Sequence, residues 1–234
     1  MASCVKNQGH LRALATAIRS KELSPSALVQ QYLERIDVVQ PVAHPWRVGD
    51  VEGALKVAAE RTAQAERGEI LGPLHGIPLG VKDIIDVAGL PTRCNCEALN
   101  YSPPAAADAE VVLSLKASGA IVIGKTHTTE FALFDPSPAC NPHNTDHTPG
   151  GSSSGSGAAV ASGTVPVALG TQTLASVNRP AAYCGISAFK PSTRSMSSFG
   201  VAPLAPSFDT IGFYGWTVDD AVFAYEAAVA HVPT

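Results

Sequence analysis

Residues 107–126, ADAEVVLSLKASGAIVIGKT, compress a helix, a stop and a strand into twenty positions. Residues 108–117 are predicted to form the helix, Gly119 ends it, and the unbroken apolar run Ala120–Ile123 reads as a strand buried on both faces. The alternation returns downstream, where AAVASG predicts a helix and VPVALGTQT and ISAFKPS predict strands. Strands that alternate with helices call for an α/β sheet covered on both faces. Ahead of this region the sequence is helical. An amphipathic segment over 10–19 precedes SPSALVQQYLERIDVVQ, where Ser24 is placed to cap a helix and Pro25 to open it. An Ala/Glu-rich third helix follows over 50–67. At Gly72 the texture changes to Gly/Pro punctuation around short β-branched runs. The tail WTVDDAVFAYEAAVAHV predicts a closing helix capped by Thr217, with acidic residues in its first turn. The expected organisation is one domain over 1–234, with N-terminal helices over 1–70 and a catalytic core over 71–234.

Composition narrows the function. The chain has 234 residues, 45% of them hydrophobic, and a net charge of −4. That is enough chain for a real core, and the charge lacks the basic stripe that a nucleic-acid partner would need. No apolar run reaches the ~18 residues of a membrane span. The N-terminus has no continuous apolar region of the kind a secretory leader carries. Five cysteines, at 4, 94, 96, 140 and 184, are odd in number and irregular in spacing. They predict a reduced, cytoplasmic protein.

Two motifs are set aside on physical grounds. GAIVIGKT, Gly119–Thr126, fits a phosphate-binding loop to the letter, but its middle residues Ala-Ile-Val-Ile are strand material and resist the positive φ that such a loop uses. His143 and His147 lie in a segment of loop residues with no third ligand in view, so no metal is expected.

The densest chemistry lies in PGGSSSGSGAAVASG, residues 149–163, with five serines and five glycines in fifteen positions. A flexible linker would join two folded units; this stretch runs straight into a helix and a strand. TQTLAS then presents another serine, Ser176, 24 residues after Ser152. Glycine beside serine suits a turn where backbone N–H groups approach a substrate and a hydroxyl is displayed. A serine nucleophile needs a base. Lys82, flanked by Val81, Ile84 and Ile85, is the candidate, because apolar surroundings lower a lysine pKa from about 10.4 toward neutrality. The alternative is that Lys82 simply pairs with Asp83 or another acid.

Taken in order and spacing, GPLHGIPLGVKDIIDVAGLPT, GKTHTTEFA, and the run from NPHNTDHTPGGSSSGSGAAVASG to TQTLASVNRPAAYCGISAFKPS closely resemble the amidase signature family. The likeness runs from about Ser24 to the end of the chain and includes SFDTIG and TVDDA near its close. It implies an amidase-signature α/β fold, with a mixed, mostly parallel central sheet covered by helices. It also implies a Ser-Ser-Lys triad. Ser176 would be the nucleophile, Ser152 the bridging residue on a cis peptide after Gly151, and Lys82 the base. The backbone N–H groups of Thr173, Leu174, Ala175 and Ser176 would form the oxyanion hole. Ser153 would hydrogen-bond Lys82 or the substrate, and Ser154 and Ser156 would be turn and cap hydroxyls. Arg179 would hold a substrate carboxylate, as in malonamidase-like members, or else pair with an acid on a neighbouring strand. No cofactor is implied.

The sequence also departs from the family. Leu174 and Ala175 stand where two glycines are usual, which predicts a loop distorted by about 1 kcal/mol or more and a leucine filling space beside the scissile carbonyl. Asn178 replaces an apolar residue and, if buried, needs hydrogen-bond partners. Family members usually continue well past residue 234, so the remaining half would be supplied by another chain, removed by truncation or dispensable in a compact variant; if it is simply absent, exposed apolar sheet surface and association, into a homodimer or an aggregate, are expected. The implied function is hydrolysis of a small carboxamide to carboxylate and ammonia or amine. An inactive or weakly active, self-associating amidase-fold module is the second expectation. The amide-transfer component of a tRNA-dependent amidotransferase ranks third, because GKTHTTEF and TQTLAS depart from its patterns.

Overall fold

The computed structural model describes residues 11–231. Cys4 and the first position of the helix expected over 10–19 lie outside the described residues, as does the start of the N-terminal stretch read as lacking a leader. Helix α1 spans Leu11–Arg19. Helix α2, Pro25–Ala43, begins where the sequence places it, with the Ser24 side chain accepting a hydrogen bond from the Ala27 N–H and Pro25 opening the first turn. Helix α3 is Val51–Glu66, α4 Glu110–Ala117 and α5 Ser154–Ala161. Helix α6 is Asn178–Cys184 and α7 Val218–Ala230. Thr217 and Asp220 close a capping box at the start of α7.

Six strands form one sheet: β1 Trp46–Gly49, β2 Pro78–Lys82, β3 Ile121–Thr126, β4 Val167–Gln172, β5 Ser187–Phe189 and β6 Thr210–Gly215, in the order β1-β3-β2-β4-β6-β5. β3, β2 and β4 are parallel neighbours, while β1 and β6 pair antiparallel to them and β5 antiparallel to β6. Four of the six strands therefore run one way. Both faces are covered, as near-continuous apolar strands require. One face packs α1, α4 and α7 over Leu79, Val81, Val167 and Leu169. The other packs α5 and α6 over Ile121, Ile123, Ala168 and Tyr214.

One irregularity shapes the site. Leu79 sits opposite Val122, but the next residue, Gly80, sits opposite Gly124. Ile123 is thus an extra residue, a β-bulge. Gly124 also lets β1 come close, since a Cβ there would lie 2.4 Å from the Val48 carbonyl oxygen.

Several elements differ from expectation. β3 runs on through Gly-Lys-Thr to Thr126, so the phosphate-loop motif is strand. Helix α5 starts earlier than AAVASG and takes Ser154 and Ser156 into its first turns, where neither serves as a cap. The Ser156 hydroxyl donates to the Leu169 carbonyl at 2.7 Å and lies 2.7 Å from that of Thr126. The Ser154 hydroxyl pairs with that of Ser137 at 2.6 Å. Their reach across α5 ties the helix to β3, β4 and the preceding loop. β1, β6 and α6 are elements that the sequence pattern did not reveal.

Candidate active site

Lys82 ends β2 and is fully buried. Its Nζ donates to Ser152 Oγ at 2.8 Å and to Thr171 Oγ1 at 2.7 Å. Burial is the main influence on it and pushes its pKa down to about 7, while the charges of Asp209 and Cys94 pull the other way. The adjacent carboxylate is not its partner. Asp83 pairs with Lys125 at 2.9 Å, with both side chains buried. The simple alternative for Lys82, pairing with Asp83, is thereby removed.

Ser152 is also fully buried and follows Gly151 through a cis peptide. The segment is held from both sides: the Ser152 carbonyl accepts from the Thr129 N–H at 3.0 Å, and the Ser153 N–H donates to the Ser176 carbonyl at 3.3 Å. Glycines let α5 seat this closely. A Cβ at Gly155 would lie 2.3 Å from the His127 nitrogen, and one at Gly157 2.9 Å from Pro180 Cβ.

Among the described residues the partners of Lys82 are Ser152 and Thr171, and Ser153 bonds the backbone of β4. Buried, its hydroxyl donates to the Thr171 carbonyl and accepts from the Thr171 N–H, both at 3.2 Å. It joins the start of α5 to β4.

Ser176 lies in the loop between β4 and α6 and keeps 8% of its surface exposed. Its carbonyl also accepts from the Tyr214 hydroxyl at 3.2 Å. Gln172, the last residue of β4, closes the loop: its Oε1 accepts from the N–H groups of Val177 at 2.8 Å and Asn178 at 2.9 Å. Thr173 donates through its hydroxyl to Asp209, whose other oxygen accepts from the Leu204 and Ala205 N–H groups. Among the described residues, the N–H groups of Thr173, Leu174, Ala175 and Ser176 have no acceptor.

The expected distortion is absent. Neither Leu174 nor Ala175 has positive φ, so glycine's freedom is not needed at either position. Leu174 is 77% exposed and its side chain points away from the packed loop. Asn178 is exposed at the start of α6, so it carries no buried polar cost. Among the described residues Arg179 pairs with no acid; its Nε donates to the Gly151 carbonyl at 2.8 Å, beside the Ser152 peptide.

Thr171 and the Asp83–Lys125 pair are site residues that no sequence motif announced. A threonine inside the otherwise apolar VALGTQ was the available signal for the first. His143 serves structure, its Nε2 lying 2.8 Å from the Cys184 carbonyl oxygen. Among the described residues no group of three His, Cys, Asp or Glu side chains could hold a metal. Cys94, Cys96, Cys140 and Cys184 are all free. Among the described residues no helix is long and apolar enough to cross a membrane.

A buried lysine bonded to a serine on a Gly/Ser-rich helix start, next to a second serine on a strand-end loop, belongs to a recognisable class. Residues 27–234 match the amidase family profile, and the chain belongs to the amidase signature family. It is 38% identical over 229 residues to a glutamyl-tRNA(Gln) amidotransferase component from Carboxydothermus hydrogenoformans, covering 95% of this chain and 47% of that protein. That class of protein stands third among the expectations from sequence. The fold matches the native peptide amidase of Stenotrophomonas maltophilia with a TM-score of 0.89 and 33% identity, over 98% of this chain and 51% of that one. It also matches an amidase family protein from Bacillus anthracis, with a TM-score of 0.88 and 29% identity, over 97% of this chain and 47% of that one. The chain spans about half the length of the relatives it matches.

Proposed function

We propose that this chain hydrolyses a small carboxamide through an acyl-enzyme, with Ser176 as nucleophile, Ser152 as proton carrier and Lys82 as base. The observation that carries the reading is the buried Lys82–Ser152 hydrogen bond, on a lysine held near pKa 7. A base poised near the working pH is what proton abstraction needs.

In this scheme neutral Lys82 takes a proton from Ser152, which takes one from Ser176 as the Ser176 oxygen bonds to the amide carbon. The unengaged N–H groups of residues 173–176 stabilise the charge that develops on the carbonyl oxygen. The proton then returns through Ser152 to the departing nitrogen as the C–N bond breaks. Water adds to the resulting ester along the same relay, releasing carboxylate and freeing Ser176. No cofactor takes part. Arg179, anchored through Nε at Gly151, has terminal nitrogens free to grip a substrate carboxylate.

The test is ammonia release from a panel of small amides, malonamate, glutamine and simple aryl amides included, by wild type and Ser176→Ala. Release lost in the variant is expected; an unchanged rate in Ser176→Ala would sink the reading. A second reading has its own support, the likeness to the amidotransferase component. There the amide donor is handled for transfer, and a marked preference for glutamine in the same panel would favour it. No release from either form would favour the inactive, self-associating module.

A further inference from the structure

Two lysines lie fully buried on adjacent strands, Lys82 on β2 and Lys125 on β3. Their surroundings differ. Lys125 donates to Asp83 at 2.9 Å, to Thr92 Oγ1 at 3.0 Å and to the Pro91 carbonyl at 3.4 Å. Lys82 has two hydroxyls and no carboxylate. Yet Asp83 is its immediate neighbour in the chain.

The bulge separates the two lysines. Had the pairing continued one to one beyond Leu79 and Val122, Lys82 would sit opposite Lys125. With Ile123 bulged out, Val81 faces Lys125 and Lys82 faces Thr126. Strand neighbours alternate between faces, so Lys125 leaves on the side of Val81. There it meets Asp83, whose carboxylate also accepts from the Arg93 N–H at 3.3 and 3.4 Å.

We propose that Lys125 is a positioning residue for Lys82: by engaging the carboxylate of Asp83, the next residue along the chain, it keeps that acid from turning to Lys82 and so keeps the Lys82 amine available as a base. The inference rests on the function proposed above. The other titratable groups that act on Lys82 are Asp209 and Cys94. Asp209 is held by Thr173, Leu204 and Ala205. Burial pushes the Cys94 thiol up to about 12, so it stays neutral. Arg47 is the further charge acting on Asp83. Of these groups, Asp83 is the one whose charge Lys125 controls.

The single variants have opposite expected signs. Lys125→Met leaves Asp83 without its cation, favours the Lys82 ammonium, and moves the acid limb of kcat/KM upward by about one pH unit, a roughly fivefold loss at pH 7 that approaches about tenfold on the acid side. Asp83→Asn leaves Lys125 as an uncompensated cation and moves the limb down. Lys125→Arg keeps the wild-type limb, and Asp83→Asn with Lys125→Met together returns close to it. A purely structural role would lower kcat at every pH and leave the limb in place.

The charge of Lys82 is also read without turnover, by 13C NMR titration of its Cε, assigned by loss of the signal in Lys82→Met. Opposite shifts in the two single variants establish the role, and an unmoved Lys82 titration in both overturns it. If Lys125→Met does not fold, Asp83→Asn and the double variant decide between the same outcomes. Should Ser176→Ala hydrolyse like wild type, the functional reading falls while the NMR titration still tests the positioning role.

Discussion

Lys82 is the base of the proposed chemistry, and its pH behaviour can be signed. Its folded pKa is about 7 against an ordinary 10.5. As a base it works when neutral, so kcat/KM should rise through pH 7 and fall about tenfold per unit on the acid side. Between pH 7 and 10.5 the unfolded chain holds the proton that the folded chain has lost, so this residue's contribution to stability grows as pH rises across that window. Urea titrations of wild type and Lys82→Met from about pH 7 to about pH 10 should show the wild type gaining on the variant; a constant difference would contradict the depressed pKa. Lys82, Ser152 and Ser176 were singled out in the sequence through the family resemblance, because apolar flanks and a Gly/Ser-rich turn left their roles open on their own. Thr171 and the Asp83–Lys125 pair were not. Their contacts depend on strand register across a bulge, which no short-range pattern encodes.

At the scale of elements, β4, the loop that carries Ser176 and α6 act as one piece. Gln172 accepts two backbone N–H groups from the far side of the loop. Gly212 of β6 leaves room for Val177, since a Cβ there would lie 2.6 Å from Val177 Cγ2. Gln172→Ala strands two N–H donors, one of them buried, and should cost about 1–3 kcal/mol. Its kcat should fall as the loop loses its closure, measured by thermal unfolding alongside amide hydrolysis. Unchanged kcat would mean that the loop is set elsewhere. Helices with a strong cap, such as α2 behind Ser24 and α7 behind Thr217, were readable, and so was the apolar run of β4. Helix α6 was hidden by its length of seven residues and by Pro180 in its first turn. In β6, Gly212 and Gly215 interrupt the pattern, and β1 has only four residues.

At the scale of the molecule, the sheet is covered on both faces, yet large apolar side chains remain at the surface. Phe134 is 81% exposed, Leu174 77% and Phe199 71%. If these side chains are brought together between copies of the chain they favour association, and sedimentation velocity across a dilution series should then show a concentration-dependent dimer. A single monomer species at all concentrations would count against self-association. The α/β class and the covered sheet were legible because periodicity and alternation are local properties. The order of the strands was not, because it is a property of the whole chain. The same distinction bears on how the site comes into being. The two hydrogen bonds of Lys82 close spans of 70 and 89 residues along the sequence. No hairpin or single βαβ unit contains them, and loops of that size close late and at an entropic cost that only the finished sheet offsets. The proposed base and its relay therefore come together only where strands far apart in sequence have paired, and catalysis by this chain would report the assembled sheet rather than any part of it.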